Sequence, residues 1–459
     1  MNWKLLVVLP ALAVAPTLTQ PAAAQTPGSD AQKLLQRIDE LEQKVKILER
    51  NRELDGEDAA TKAKATPVVT AGSGGFSLNA PDKSYILKVR GYVQTDARFF
   101  PGDHSAGTVN DTFLIRRLRP ILEGTVAEKY DYRIMLDFPS AVATAGGNNP
   151  LVQDAYVTAK FSPAFQVQVG KFKQPVGLER LQSGANMLFI ERAYPTQLLP
   201  NRDLGIQIQG DLFDGTLSYQ AGIFNGVQDG GSGDLETGFD DEKDIAARLF
   251  ANPFKNSSVD SLKGLGLGIS GTFGNQDSAA APRGYTSAGQ QAIYAYTAAT
   301  VADGDHWRLS PQGYYYYGPF GILGEYAVSN QKVRNGATFG TLTHTAWQVA
   351  ASYFITGEDN SFKAVTPQRT FSLGTGGWGA WELTGRVSGI DFDDQSFPLF
   401  AAPATATTGA FTWGVGVNWH LNRNVKLTLN YEQTDFESGT SPLLRNGEQA
   451  VFSRVQFSF

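Results

Sequence analysis

The segment Ile86 to Phe99 carries its charged side chains on one parity, with Lys88, Arg90, Asp96 and Arg98 alternating with Leu87, Val89, Val93, Ala97 and Phe99. Side chains on a β-strand point to opposite faces with a period of two, so one side of this segment suits hydrocarbon and the other suits water and anions. Read the same way, later segments put Arg117, Arg119, Arg133 and Lys160 on the wet parity, among Glu123, Asp131, Asp137 and Asp154. Guanidinium groups hold oxyanions through forked, charge-assisted hydrogen bonds, and a narrow wet passage between low-dielectric walls focuses their field. The competing expectation is that these arginines pair with the carboxylates and brace the interior.

Such a row of charges needs a large β-structure to hold it. About sixteen alternating segments follow Tyr85, near residues 86–99, 112–126, 131–138, 152–161, 165–172, 204–212, 215–224, 244–251, 264–274, 306–317, 320–332, 343–355, 380–392, 410–421, 425–435 and 450–459. Their lengths suit tilted membrane strands of about ten residues. Short links such as 162–164 and 422–424 alternate with long ones such as 174–203, 225–243 and 275–305. Short turns at one end and long loops at the other are expected of an all-β, 16-stranded antiparallel transmembrane barrel. Outward aromatics such as Phe411, Trp413 and Trp419 match interfacial girdles, and the last segment closes on an outward aromatic, Phe459.

The 459-residue chain has no cysteine and a formal net charge of −6. Disulfide and thiolate-metal frameworks are excluded, and no nucleic-acid partner is expected. Residues 1–24 read as an export signal, with Lys4, an apolar run from Leu5 and a small-residue site at Ala22-Ala23-Ala24. No later stretch offers about 20 uncharged apolar residues, so an exported chain enters a membrane only as strands. In residues 25–54 the positions Leu34, Ile38, Leu41, Val45 and Leu48 form a heptad seam, marking a short periplasmic helix that associates with copies of itself or offers a cell-wall contact through residues 31–52. Residues 55–80, rich in Ala, Thr, Gly and Lys, read as a flexible tether, and 81–459 as the barrel. The acidic run Asp229, Asp234, Glu236, Asp240, Asp241 and Glu242 lacks calcium-loop spacing and reads as a solvated loop, so no metal or cofactor is expected.

The stretches Leu87–Phe99, Phe113-Leu114-Ile115-Arg116-Arg117-Leu118-Arg119-Pro120, Gln153-Asp154-Ala155-Tyr156-Val157, Val169-Gly170-Lys171-Phe172-Lys173-Gln174-Pro175-Val176-Gly177-Leu178-Glu179-Arg180 and Ile190-Glu191-Arg192 together resemble the phosphate- and polyphosphate-selective porins. The resemblance runs from about Tyr85 to Phe459 and implies a Gram-negative outer-membrane homotrimer, in contact with lipid and lipopolysaccharide, whose third outer loop folds inward. Here that loop is Gln174 to Asp203. By motif match, the anion site falls on Arg116, Arg117 and Asp154 with Arg180, Ser183 and Arg192 of the loop, and Arg98 and Arg133 lie near. Lys88, Arg90, Arg119, Lys160, Lys171 and Lys173 are expected to line the pore. The implied function is passive diffusion of phosphate, pyrophosphate or polyphosphate.

Two departures qualify this. Strict alternation cannot turn both Arg116 and Arg117 inward, so either a bulge bends the strand or Arg116 faces a neighbouring subunit. The family's fifth outer loop supplies arginines, whereas residues 275–305 here hold only Arg283. A relaxed anion or general porin, or a barrel-anchored envelope tether, are the alternatives. An enzyme is not expected, because His104, His306, His344 and His420 are scattered and no Gly-x-Ser-x-Gly elbow is present.

Overall fold

The computed structural model describes residues 28–101, 111–139, 151–233, 241–278, 280–374, 376–402, 406–437 and 447–459. The expected export signal, His104, and Asp234, Glu236 and Asp240 of the acidic run lie outside the described residues. Chain contacts divide the protein into two units, Met1–Thr66 and Pro67–Phe459.

Among the described residues the first unit is one helix, α1 (Gly28–Ala65), on which Leu34, Ile38, Leu41, Val45 and Leu48 are all exposed. It runs past position 54, where the heptad pattern fades, because residues 57–65 are rich in alanine and lysine, both strong helix formers. Proline at 67 disfavours helix in the residue before it, and Thr66 closes the last turn on the Lys62 carbonyl through both its N–H and its hydroxyl, at 2.8 and 2.7 Å. The rest of the expected tether is ordered too, as a hairpin of β1 (Val68–Gly72) and β2 (Gly75–Asn79). Its Gly-Ser-Gly-Gly sequence supplies a tight turn, with Gly75 at φ +95°, a conformation that favours glycine.

The barrel itself comprises β3 (Ile86–Phe99), β4 (Thr112–Val126), β5 (Tyr130–Asp137), β6 (Leu151–Ser162), β7 (Phe165–Lys173), β8 (Arg202–Leu212), β9 (Leu217–Phe224), β10 (Asp244–Ala251) and β11 (Leu265–Asp277). After a small hairpin of β12 (Tyr285–Thr286) and β13 (Ala292–Tyr294), it continues through β14 (Thr300–Tyr317), β15 (Phe320–Asn335), β16 (Thr338–Phe354), β17 (Ala380–Asp391), β18 (Gly409–His420), β19 (Val425–Glu437) and β20 (Glu448–Ser458). Neighbours pair antiparallel throughout, and β20 pairs with β3 to close sixteen strands into a barrel. The polarity is inverted relative to a soluble fold. Along β19, Leu429 is exposed while Lys426, Thr428, Asn430 and Glu432 are buried inside. On β3, Leu87, Val89 and Phe99 face out while Gln94, Asp96 and Arg98 are buried within.

The closure leaves part of β3 over. β20 pairs with it only from Phe99 to Tyr92, and β2 takes the remaining edge, with Phe76 opposite Val89 and Asn79 opposite Ile86. The hairpin thus covers backbone N–H and C=O groups that would otherwise form an open edge. Asn424 Nδ2, in the turn after β18, anchors it by donating to the Ser73 carbonyl at 2.9 Å.

The ends of the barrel are sorted largely as expected, although residues 252–264, between β10 and β11, form a 13-residue connection at the short-turn end. Residues 336–337 join β15 to β16 by a tight turn at the long-loop end, and residues 355–379 form a long connection at the short-turn end. That connection reaches into the interior, where Phe362 stacks on Tyr314 with ring centroids 5.4 Å apart.

Candidate functional site

Residues 174–201, between β7 and β8, cross the interior and are laced to one side of it. Backbone N–H groups of Gly177 and Leu178 donate to Ser270 Oγ on β11 at 3.1 Å and Glu325 Oε2 on β15 at 2.6 Å. Arg386 on β17 donates to the Glu191 carbonyl at 2.9 Å, and Asn418 on β18 to that of Leu188 at 3.1 Å. Ile190 N–H donates to Asn430 Oδ1 on β19 at 2.9 Å, Gln456 on β20 to the Ala185 carbonyl at 3.1 Å, and Gln94 on β3 to that of Gly184 at 2.8 Å. From below, the Phe362 carbonyl accepts from Gln182 Nε2 at 3.0 Å. The loop therefore leans toward β11–β20, and a cavity of about 280 Å³ stands between it and the wall built by β3–β9.

The double arginine is resolved by a bulge. Gln94 pairs with Arg117 and Thr95 with Ile115, so Arg116 is the extra residue and both guanidiniums turn inward. After the bulge the inward parity shifts, so that Arg117 and Ile121 are buried inside whereas Leu118 and Leu122 are exposed outside. Arg116 clasps Glu191 of the inserted loop through Nε at 2.6 Å and Nη2 at 3.0 Å, and Arg98 reaches the same carboxylate at 2.6 Å. Burial by itself would raise the Glu191 pKa, but Arg116 and Arg98 outweigh it and hold the carboxyl well below its ordinary range. The acid is ionised, and it fixes the loop to the arginine strand.

Several expected anion ligands are likewise engaged. Arg133 donates to Asp154 at 3.1 Å and to Glu123 at 2.9 Å, and Arg202 takes the other Asp154 oxygen at 2.8 Å. Arg119 binds Asp137 at 2.7 Å and the Tyr92 hydroxyl oxygen at 2.9 Å. Nearer the short-turn end, Arg90 pairs with Glu123 at 2.7 Å and Lys160 with Asp131 at 2.8 Å, while Lys88 is exposed at the start of β3. The bracing expectation thus holds for much of the wall.

Four of the cations expected at the site end on neutral oxygens instead of carboxylates. Arg117 donates to Gln94 Oε1 at 2.7 Å, and Lys173 to the carbonyls of Leu181 and Gln182 at 3.3 and 2.9 Å. Arg192 donates to the carbonyls of Glu179 and Gln182 at 3.1 and 2.9 Å, and Arg180 makes one long contact to the Leu199 carbonyl at 3.4 Å. Burial, then the positive charges of Arg192, Arg283 and Arg202, push the Arg180 pKa down to about 9. Burial, with Arg119 and Arg202 acting against the help of Glu179, pushes Arg192 down to about 10. A group of buried cations that depress one another is relieved by an anion.

Of the residues expected at the site, Arg119, Arg133, Asp154, Lys173 and Ser183 line the cavity. Arg117 lies directly behind it, since a Cβ added to the lining residue Gly184 would stand 3.4 Å from Arg117 Nε. Arg98 and Arg116 sit on the Glu191 clasp, and Lys171 is buried on β7 outside the lining. Sequence reading gave no role to Arg202 or to the Tyr92 hydroxyl, both of which line the cavity. Tyr92 could have been found from its inward parity on β3, whereas Arg202 sits at the end of the loop, where alternation gives no signal.

Comparison with known proteins agrees with this architecture. Residues 87–459 match the family described as phosphate-selective porin O and P. Porin O of Pseudomonas aeruginosa is 24% identical over 437 residues, covering 88% of this chain and 93% of that protein. Among solved structures, the outer membrane channel DcaP of Acinetobacter baumannii superposes with a TM-score of 0.54 at 13% identity, covering 82% of this chain and 98% of that one. The anion-selective porin of Comamonas acidovorans gives a TM-score of 0.51 at 13% identity over 82% of this chain and all of that one. With its closed barrel, inward arginines and inserted loop, this chain is an outer-membrane porin belonging to the phosphate-selective porin O and P family.

Proposed function

We propose that the pore passes small anions by diffusion, with phosphate, pyrophosphate or polyphosphate held transiently in the cavity that Lys173 lines, under the field of Arg117, Arg180 and Arg192, which lie outside its lining. The observation that carries this reading is that these cations, buried at Arg117 and Arg180 and half-buried at Lys173 and Arg192, face carbonyl and amide oxygens instead of carboxylates. Asp154 and Ser183 complete the site. A carboxylate among the cations weakens capture enough to permit release, as transport requires. The test is chloride conductance of single channels, titrated with phosphate and pyrophosphate. Block at low concentration that weakens in Arg117→Ala supports the site; chloride current unaffected by either anion defeats it.

One observation favours the relaxed alternative. The loop of residues 278–299 spends its aromatic side chains on packing, with Tyr294 stacked on Phe392 at 4.4 Å and Tyr296 bonded to His344 at 3.0 Å. Its lone arginine, Arg283, is tied to the Gly230 carbonyl at 3.1 Å. This loop adds little capture power, so the anion order depends on residues 174–201 and the β3–β8 wall.

We also propose that the chain works as a homotrimer in outer-membrane lipid and lipopolysaccharide, with α1 on the periplasmic side joining copies. In a parallel in-register coil, Arg37 of one helix lies beside Glu42 of the next and Lys44 beside Glu49, whereas an antiparallel coil sets like charges together. Since the native chain has no cysteine, Leu41→Cys tests this. Disulfide-linked chains on mild oxidation support it, and monomers alone favour a cell-wall contact instead.

A further inference from the structure

The cavity has a second wall that the anion reading leaves unused. Gln168 on β7 faces Gln207 on β8, Gln166 faces Gln209, and Gln209 in turn faces Gln220 on β9. This register gathers five uncharged amides into one patch, four of which line the same cavity as Arg119, Lys173 and Arg202. They satisfy one another poorly. Gln207 Nε2 donates to Gln209 Oε1 at 2.8 Å, but Gln209 Nε2 reaches Gln168 only at 3.3 Å and Gln220 Nε2 reaches Gln209 at 3.4 Å. Gln207 Oε1 is buried with no hydrogen-bond partner among the described residues.

A fully ionised phosphate has only acceptors, so it can use the N–H groups of these amides but leaves their oxygens unmatched. Hydroxyl groups, which donate and accept at once, match amides in both roles. Beside the amides, the rings of Tyr156 and Phe172, 5.9 Å apart and edge to face, give an apolar surface suited to the C–H face of a carbon body. At about 280 Å³ the cavity approaches the ~300 Å³ at which pockets begin to hold small organic molecules.

We propose that the cavity takes an anion with a hydroxylated carbon body, a phosphomonoester of a sugar or polyol, its phosphate at the cation side and its hydroxyls along Gln168, Gln207 and Gln209. This rests on the anion site proposed above and names a substrate class for it. The experiment measures block of chloride current through the full-length protein in planar bilayers by glucose 6-phosphate and by inorganic phosphate at one pH. Glucose 6-phosphate is expected to block at a concentration at least threefold lower, and the double variant Gln207→Leu/Gln209→Leu to bring the ratio to about one. An ester that blocks no better than phosphate in the wild-type protein overturns the proposal, as does a double variant that leaves the ratio intact. If neither compound blocks while chloride conducts, the cation site itself fails, and the amide-wall proposal with it.

Discussion

Two walls of the same barrel carry arginines and use them differently. On the far side, Arg308 donates to Asp229 at 2.6 Å, Arg386 to Glu432 at 2.9 Å and Arg454 to Asp96 at 2.6 and 2.8 Å. These guanidiniums are almost wholly buried and lock strands and loops together. On the near side, Arg117 and Lys173, with Arg180 and Arg192 of the inserted loop, end on carbonyl or amide oxygens. An arginine count cannot tell a brace from an anion ligand; the partner of each guanidinium can.

The comparison breaks if far-wall arginines matter to anions. Arg308→Ala strands Asp229 without its main cation, and losing one partner of a buried pair costs about 3–5 kcal/mol. A large fall in the thermal unfolding midpoint is expected, with the anion preference of surviving channels unchanged. On the inserted loop, Arg180→Ala should do the reverse. It removes a cation with no ion-pair partner, so stability holds, while phosphate block weakens by roughly 10–100-fold, as for a charge-assisted hydrogen bond of about 1.5–3 kcal/mol. Unchanged block would move Arg180 to the bracing class.

Arg116 sits between the classes, and its variant sharpens the boundary. Arg116→Ala leaves Glu191 with Arg98 and makes the interior one charge more negative, which at ~7 Å in a water-like medium costs an anion and favours a cation by about 0.6 kcal/mol each, or roughly sevenfold in anion over cation permeability. Reversal potentials in a salt gradient measure it. The smallest effect is with pH. Arg180 and Arg192, pushed down to about 9 and 10, lose charge as pH rises through those values, so anion selectivity should decline there. A depressed cation binds fewer protons folded than unfolded, so over the same range stability should rise. Selectivity flat to pH 11 would show that bound anions keep both groups charged.

The strands were legible because lipid outside and water inside impose period-two alternation on every one of them, and the expected segments correspond to the observed strands within a few residues at most ends. The Arg116-Arg117 pair already posed the question that the bulge answers. Pairing was not legible. Glu191 meets Arg98 and Arg116 across 93 and 75 positions, and no local pattern encodes which carboxylate a guanidinium will find. Residues 68–79 and 355–379 were missed for a related reason. Gly-Ser-Gly-Gly serves a linker and a two-residue turn equally well, and the inward course of 355–379 depends on Tyr314, which lies on β14, two strands back.

The lacing of the inserted loop also bears on assembly. Gly184 is held by Gln94 near the start of the barrel, and Ala185 by Gln456 at its far end, 271 positions away. Gln94 and Gln456 themselves bond at 2.6 Å across 362 positions. Contacts this distant in sequence form late, because the chain between them must be ordered first. The constriction is therefore a product of barrel closure. A chain whose first and last strands have not yet met lacks these two anchors, so the loop takes its final seat in the step that makes the wall continuous.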